Sequence, residues 1–127
     1  MKVHHLAISI KDLEKSVSFY AKYFDFKDIQ RFTKTEWEGE AAILDLYGFK
    51  LEIFQFHNAI DKKDDLSNLE VIGLKHISIE VDDVESKYIE LKEKGIDIDK
   101  PEKGTTCAWF CFLRDPDGIP IELYESK

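Results

Sequence analysis

Apolar and polar positions alternate from His5 to Ile10, with Leu6, Ile8 and Ile10 on one stripe and His5, Ala7 and Ser9 on the other. A period of two over this length predicts a strand with one buried face. The same rhythm returns at 76–81, where Ile77, Ile79 and Val81 oppose His76, Ser78 and Glu80. Both runs put a histidine on the less apolar stripe. The period then lengthens to that of an amphipathic helix, carried by Leu13, Val17, Tyr20 and Phe24 in the first case and by Val84, Tyr88 and Leu91 in the second. Asp12 and Asp83 stand at the N-cap positions, and Gly95 at the point where the second helix should stop. Three short strands follow each helix, expected at 28–36, 40–47 and 49–56, and again at 96–100, 107–114 and 119–125. Gly39, the Tyr47-Gly48 pair, the Pro-Glu-Lys-Gly stretch and the Asp-Pro-Asp-Gly turn at 115–118 separate them.

The two halves are copies of one unit. Residues 5–14 align with 76–85, matching His5 with His76, Ile8 with Ile79, Asp12 with Asp83 and Glu14 with Glu85. Residues 43–54 align with 113–124, matching Asp45 with Asp115, Gly48 with Gly118 and Glu52 with Glu122. The fold class expected is therefore α+β, built from two tandem βαβββ modules at 1–57 and 69–127, with the polar stretch 58–68 as a solvated linker. A module of some 60 residues buries only about 60% of its unfolded surface, so each half alone would be marginal.

Charge narrows the function. With 18 Lys and Arg against 26 Asp and Glu, the net charge is −8. Such a balance opposes attraction to nucleic acid or to an anionic membrane surface. The first 30 residues are charged throughout, and no run approaches the roughly 18 apolar residues of a transmembrane helix, so a cytoplasmic location is expected. Cys107 and Cys111 form neither a CxxC pair nor a disulfide framework and read as packing residues.

The alternation carries a chemical oddity. Glu52 lies between Leu51 and Ile53, and Glu122 between Ile121 and Leu123. A carboxylate there is costly to bury unless it is paired or bound to a metal. The repeat places these two glutamates and the two histidines at equivalent positions, so His5, Glu52, His76 and Glu122 form a set suited to a divalent ion. Imidazole nitrogen and carboxylate oxygen suit Zn²⁺ and other first-row ions, and the absence of thiolates points away from a structural zinc site. His4 has no counterpart, because Lys75 occupies that slot, and is expected on the other face in a structural role. His57, at the end of its strand, has no second observation to assign it a role. The aromatics Trp37, Phe54, Phe56, Trp109, Phe110, Phe112 and Tyr124 are expected mainly in the core, with those sharing a face with the glutamates able to wall a substrate pocket.

At HHLAISIKDLEKSVSFYAKYF, LKHISIEVDD and FLRDPDGIPIEL the chain resembles the vicinal oxygen chelate superfamily, which includes glyoxalase I, methylmalonyl-CoA epimerase, fosfomycin-resistance enzymes, extradiol dioxygenases and bleomycin-resistance proteins. The resemblance covers essentially the whole chain. It implies paired modules forming a U-shaped mixed sheet around a metal, with the modules drawn from one chain or from two chains of a dimer. His5, Glu52, His76 and Glu122 match the four-ligand pattern of the glyoxalase I branch. Zn²⁺ or Ni²⁺ is the ion implied first, with Co²⁺, Mn²⁺ and Fe²⁺ also compatible. The activity implied is metal-dependent proton-transfer isomerisation of a small carbonyl or thiol-adduct substrate, like that of lactoylglutathione lyase, with Glu52 or Glu122 as the base.

Two positions depart from the glutathione-using pattern. An Arg is usual four residues after the first His and an Asn four residues after the first Glu; here those slots hold Ser9 and Phe56. Glutathione's carboxylate thereby loses its usual partners, and Gln55 and Arg31 stand as candidate replacements. The alternatives are an epimerase acting on an acyl-CoA and a noncatalytic drug- or ligand-binding resistance protein. A homodimer is expected, because each module leaves sheet edges that need cover.

Overall fold

In the computed structural model the first alternating run becomes β1 (His5–Ile10), followed by α1 (Leu13–Phe24), β2 (Lys27–Phe32), β3 (Gly39–Leu46) and β4 (Phe49–Phe56). The second half runs β5 (Ile77–Glu80), α2 (Val84–Glu93), β6 (Glu102–Lys103), β7 (Trp109–Arg114) and β8 (Pro120–Glu125). Residues 1–33, 36, 38–61 and 66–127 are described. Positions 34 and 35 of the expected strand 28–36, Trp37, and 62–65 of the expected linker lie outside them. The chain divides into two units, Met1–Lys62 and Lys63–Lys127.

Each unit holds a four-stranded mixed sheet with one helix, in the orders β1-β4-β3-β2 and β5-β8-β7-β6. The first pair in each order is parallel and the rest antiparallel. This is the expected α+β fold of two βαβββ modules. A parallel pair needs a long crossover, whereas antiparallel neighbours need only tight turns, so helix and hairpins fall where the sequence places them.

In the first unit α1 packs on β2, β3 and β4, and the core is its apolar stripe against theirs. Leu13, Val17, Phe19, Tyr20 and Phe24 are buried against a sheet that buries Ala42, Leu44, Leu51 and Ile53. Each large side chain so buried contributes about 1.5–3 kcal/mol relative to exposure. Asp12 caps the helix by accepting the Lys15 N–H at 2.9 Å, and the chain leaves it at Asp25 in a left-handed conformation, φ 59°. In the second unit Asp83 accepts from the Ser86 N–H at 2.8 Å and from its hydroxyl at 2.9 Å. Gly95, at φ 80°, takes the chain out of α2 as expected.

The repeated Asp and Gly residues build the hairpins. Asp115, 5% exposed, accepts the N–H groups of Asp117 and Ile119, each at 2.9 Å, while Gly118 adopts φ 86°. In the first unit Asp45 accepts the Gly48 N–H at 3.3 Å, with Gly48 at φ 92°. A side-chain oxygen satisfying turn amides is the physical reason for Asp at this place.

The expected strand at 96–100 is not formed. Only an isolated bridge joins Ile98 to Leu113, and pairing resumes as the two-residue β6 at Glu102–Lys103. Pro101, with no N–H to donate and a fixed φ, interrupts the ladder between them. Among the described residues no helix is long and apolar enough to cross a membrane.

Candidate metal centre

Parallel pairing of β1 with β4 sets Ala7 opposite Glu52, so His5, two residues upstream, projects on the same face diagonally from the carboxylate. The Nε2 of His5 lies 3.1 Å from the Oε2 of Glu52. The second unit repeats the arrangement. Ser78 is opposite Glu122, and His76, immediately before β5, brings its Nε2 to 3.5 Å from Glu122 Oε2. In each pair the glutamate is the more enclosed partner, at 17% and 16% exposure against 38% and 32% for the histidines. Leu51, Ile53, Ile121 and Leu123 alternate with the glutamates and turn into the cores, each at 0% exposure.

These spacings suit a shared ion. Two donors each about 2.1 Å from one cation lie about 3.0 Å apart at a right angle and about 3.4 Å apart at the tetrahedral angle. Separations of 3.1 and 3.5 Å fall in that range, and one nitrogen with one carboxylate oxygen is a donor set for a first-row divalent ion. Each pair therefore offers two donors at a spacing that a divalent ion accepts. Among the described residues no group of three or more His, Cys, Asp or Glu side chains that could hold a metal is present. The groupings seen are the two pairs.

Aromatic rings flank both. Phe54 stacks on Phe56 at 6.1 Å between centroids and meets Phe32 edge-on at 6.3 Å. In the second unit Phe112 meets the His76 ring edge-on at 5.2 Å and Phe110 at 6.0 Å, and Tyr124 donates its hydroxyl to the Thr106 carbonyl at 3.0 Å. By strand register Phe54, Phe110, Phe112 and Tyr124 share faces with the glutamates. They are half-buried there rather than core residues. Trp109 is 37% exposed at the start of β7, with Lys103 Nζ 5.6 Å from its ring centroid.

His4 departs from its expected place. Its imidazole turns onto His5, with Nδ1 to Nδ1 at 2.9 Å and the rings nearly perpendicular at 86°. His4 precedes β1, so strand alternation does not decide where it points. The doubled histidine is the signal the sequence carries for this contact. His57 is exposed, with its N–H bonded to the Glu38 carbonyl at 2.8 Å.

The two candidate replacements for the missing glutathione contacts are engaged elsewhere. Gln55 accepts the Leu13 N–H at 2.6 Å. Arg31 pairs with Glu14 at 2.5 Å and with Asp28 at 2.7 Å, and these carboxylates hold its guanidinium pKa above the ordinary value. Cys107 and Cys111 are free and buried, and loss of solvent raises the Cys111 thiol to about 11, with a further contribution from Asp99.

A duplicated βαβββ unit that sets a histidine and a glutamate side by side in each copy defines a vicinal oxygen chelate protein. The chain belongs to the glyoxalase/bleomycin resistance protein/dioxygenase superfamily, whose sequence model matches residues 2–123. It is similar to the uncharacterized protein YwkD of Bacillus subtilis, 34% identical over 126 residues covering 98% of this chain and 96% of that protein. It is also similar to a lactoylglutathione lyase of Neisseria meningitidis, 30% identical and covering 100% of this chain and 92% of that enzyme. Among solved structures, the trypanothione-dependent glyoxalase I of Leishmania major matches with a TM-score of 0.78 at 26% identity, covering 98% of this chain and 86% of that one.

Proposed function

We propose that this chain is a divalent-metal isomerase of the glyoxalase I type, with His5, Glu52, His76 and Glu122 as the ligands. The observation that carries this reading is the duplication of one His–Glu contact, 3.1 Å in one unit and 3.5 Å in the other, at equivalent strand positions. A single such pair is an ordinary surface ion pair; two in register are a divided ligand set. Since each unit holds one pair, a complete set needs two units, taken from one chain or from two. A homodimer is the assembly proposed.

A bound divalent ion, Zn²⁺ or Ni²⁺ first, would supply Lewis-acid polarisation of a substrate oxygen and so acidify the adjoining C–H. The residues do the rest. A glutamate carboxylate, Glu52 or Glu122, takes the proton from the hydroxyl-bearing carbon beside the carbonyl and returns it to the former carbonyl carbon. The hydroxyl proton passes to the former carbonyl oxygen, so that the product is an isomer with no atom gained or lost. The aromatic rings beside each glutamate exclude water from that proton. The substrate class is a small 2-oxoaldehyde adduct of a low-molecular-weight thiol. Relatives that carry the lactoylglutathione lyase and glyoxalase I names support the chemistry.

Elemental analysis of the purified protein, beside a Glu122→Gln variant, tests this. A stoichiometric first-row ion in the wild type, its loss in the variant, and parallel loss of turnover of methylglyoxal–thiol adducts are expected. Unchanged metal content in the variant would overturn the ligand assignment. Turnover of methylmalonyl-CoA in place of the adducts would move the enzyme to the epimerases, and ligand binding by metal-free protein would move it out of catalysis.

A further inference from the structure

We propose that His4 is a positioning residue for His5, holding the proton of the His5 imidazole on Nδ1 so that Nε2 presents a bare lone pair to a divalent cation. This rests on the ligand reading of His5 given above. The argument begins with the imidazole itself. A neutral ring carries one N–H and one lone pair, and a ring that ligates through Nε2 must carry its hydrogen on Nδ1, where it needs an acceptor. His5 turns Nε2 toward Glu52 Oε2, at 3.1 Å, and Nδ1 toward His4 Nδ1, at 2.9 Å. Both nitrogens are thus accounted for by named neighbours.

A nitrogen–nitrogen approach of 2.9 Å needs one hydrogen between the two atoms. Two arrangements satisfy it. In one, His4 Nδ1–H donates to His5, whose own hydrogen sits on Nε2 and faces the Glu52 carboxylate, a chain closed without a cation. In the other, His5 Nδ1–H donates to His4, and Nε2 is bare beside the carboxylate, the arrangement a cation requires. A histidine at position 4 serves both, because a change of tautomer turns its Nδ1 from donor to acceptor. An ammonium, which only donates, can support the first alone.

The second unit marks the contrast. Lys75 stands where His4 does, and the His76 ring is instead steadied by the edge-on contact with Phe112, 5.2 Å between centroids at 78°. Equivalent imidazoles are held by different means, a polar partner in one unit and an aromatic one in the other.

The test uses Co²⁺ as the probe, with the full chain, by competition against a chromophoric chelator. His4→Ala should weaken Co²⁺ binding by about 10–100-fold, the usual cost of losing an outer partner of a metal-bound histidine. His4→Asn, whose amide places a donor and an acceptor near the lost Nδ1, should restore most of that affinity. Lys75→Ala should leave it unchanged. In ¹⁵N spectra of the wild type, His5 should carry its hydrogen on Nδ1 once Zn²⁺ is added. Wild-type affinity in a folded His4→Ala protein, or an Asn variant as weak as the Ala one, would overturn the proposal while His5→Ala still abolishes binding. No Co²⁺ binding by the folded wild type would instead remove the ligand reading, and this inference with it. If His4→Ala fails to fold, the Asn variant decides: Co²⁺ affinity about 10–100-fold below the wild type rejects the proposal, whereas a hydrogen on His5 Nε2 in the wild-type Zn²⁺ form removes the ligand reading itself.

Discussion

The side-chain carbonyl of Gln55 accepts the backbone N–H of Leu13 at 2.6 Å, tying the last strand of the first unit to the first turn of its helix. The second unit has the same joint, in which Glu125 accepts the Val84 N–H at 2.9 Å. Both satisfy an amide at a helix start that has no partner within the helix. The side-chain carbonyl of Gln55 is therefore part of the scaffold.

With Gln55 and Arg31 engaged, and Ser9 and Phe56 in place of Arg and Asn, glutathione should hold no advantage as the thiol. The wild type is expected to turn over methylglyoxal adducts of glutathione and of 2-mercaptoethanol with similar kcat/KM. The Ser9→Arg/Phe56→Asn double variant should favour the glutathione adduct by about tenfold, the worth of one charge-assisted hydrogen bond. A wild-type preference for glutathione of that size or more would contradict this.

Asp83 sets a pH dependence for the second unit. Hydrogen bonds from Ser86, the backbone N–H first and then the hydroxyl, hold its carboxyl below the ordinary 3.8. A depressed folded pKa means the ionised form stabilises the fold above the unfolded value, and that stability is lost as pH falls through the folded value. Urea midpoints measured from pH 6 downward should fall less steeply for Asp83→Asn than for the wild type across this acid range. Parallel curves would show that the cap contributes nothing to acid sensitivity.

Asp115→Ala should destabilise the protein by about 1–3 kcal/mol, because two turn amides lose their acceptor in a site only 5% exposed. Urea unfolding measures it directly. A loss below 0.5 kcal/mol, on the scale of an ordinary surface change, would mean that water replaces the carboxylate.

The thiols offer a test of burial. With Cys107 and Cys111 both enclosed and the Cys111 thiol raised to about 11, neither should react with an aromatic disulfide reagent at pH 8 faster than the chain opens. Both should react at once in denaturant. Rapid labelling of native protein would show that the segment from Cys107 to Cys111 opens independently of the rest.

Much of this protein was legible without coordinates, because alternation and helical period are local consequences of which side chains turn inward. The strands at 5–10 and 49–56, the caps Asp12 and Asp83, the stop at Gly95 and the two Asp-to-Gly turns all follow from residues only a few positions apart. Internal repetition singles out His5 with His76 and Glu52 with Glu122. The stretch 96–100 has the apolar pattern of a strand but forms only an isolated bridge, because Pro101 denies the ladder a donor.

What the linear order could not reveal are the contacts made by elements far apart along the chain. The approach of His5 to Glu52 depends on parallel register between β1 and β4, which periodicity does not specify. The use of Gln55 as a helix partner depends on where β4 passes α1, and the turn of His4 onto His5 on a backbone position just outside the strand. Local pattern decides which face a side chain takes; only the folded chain decides what that face meets.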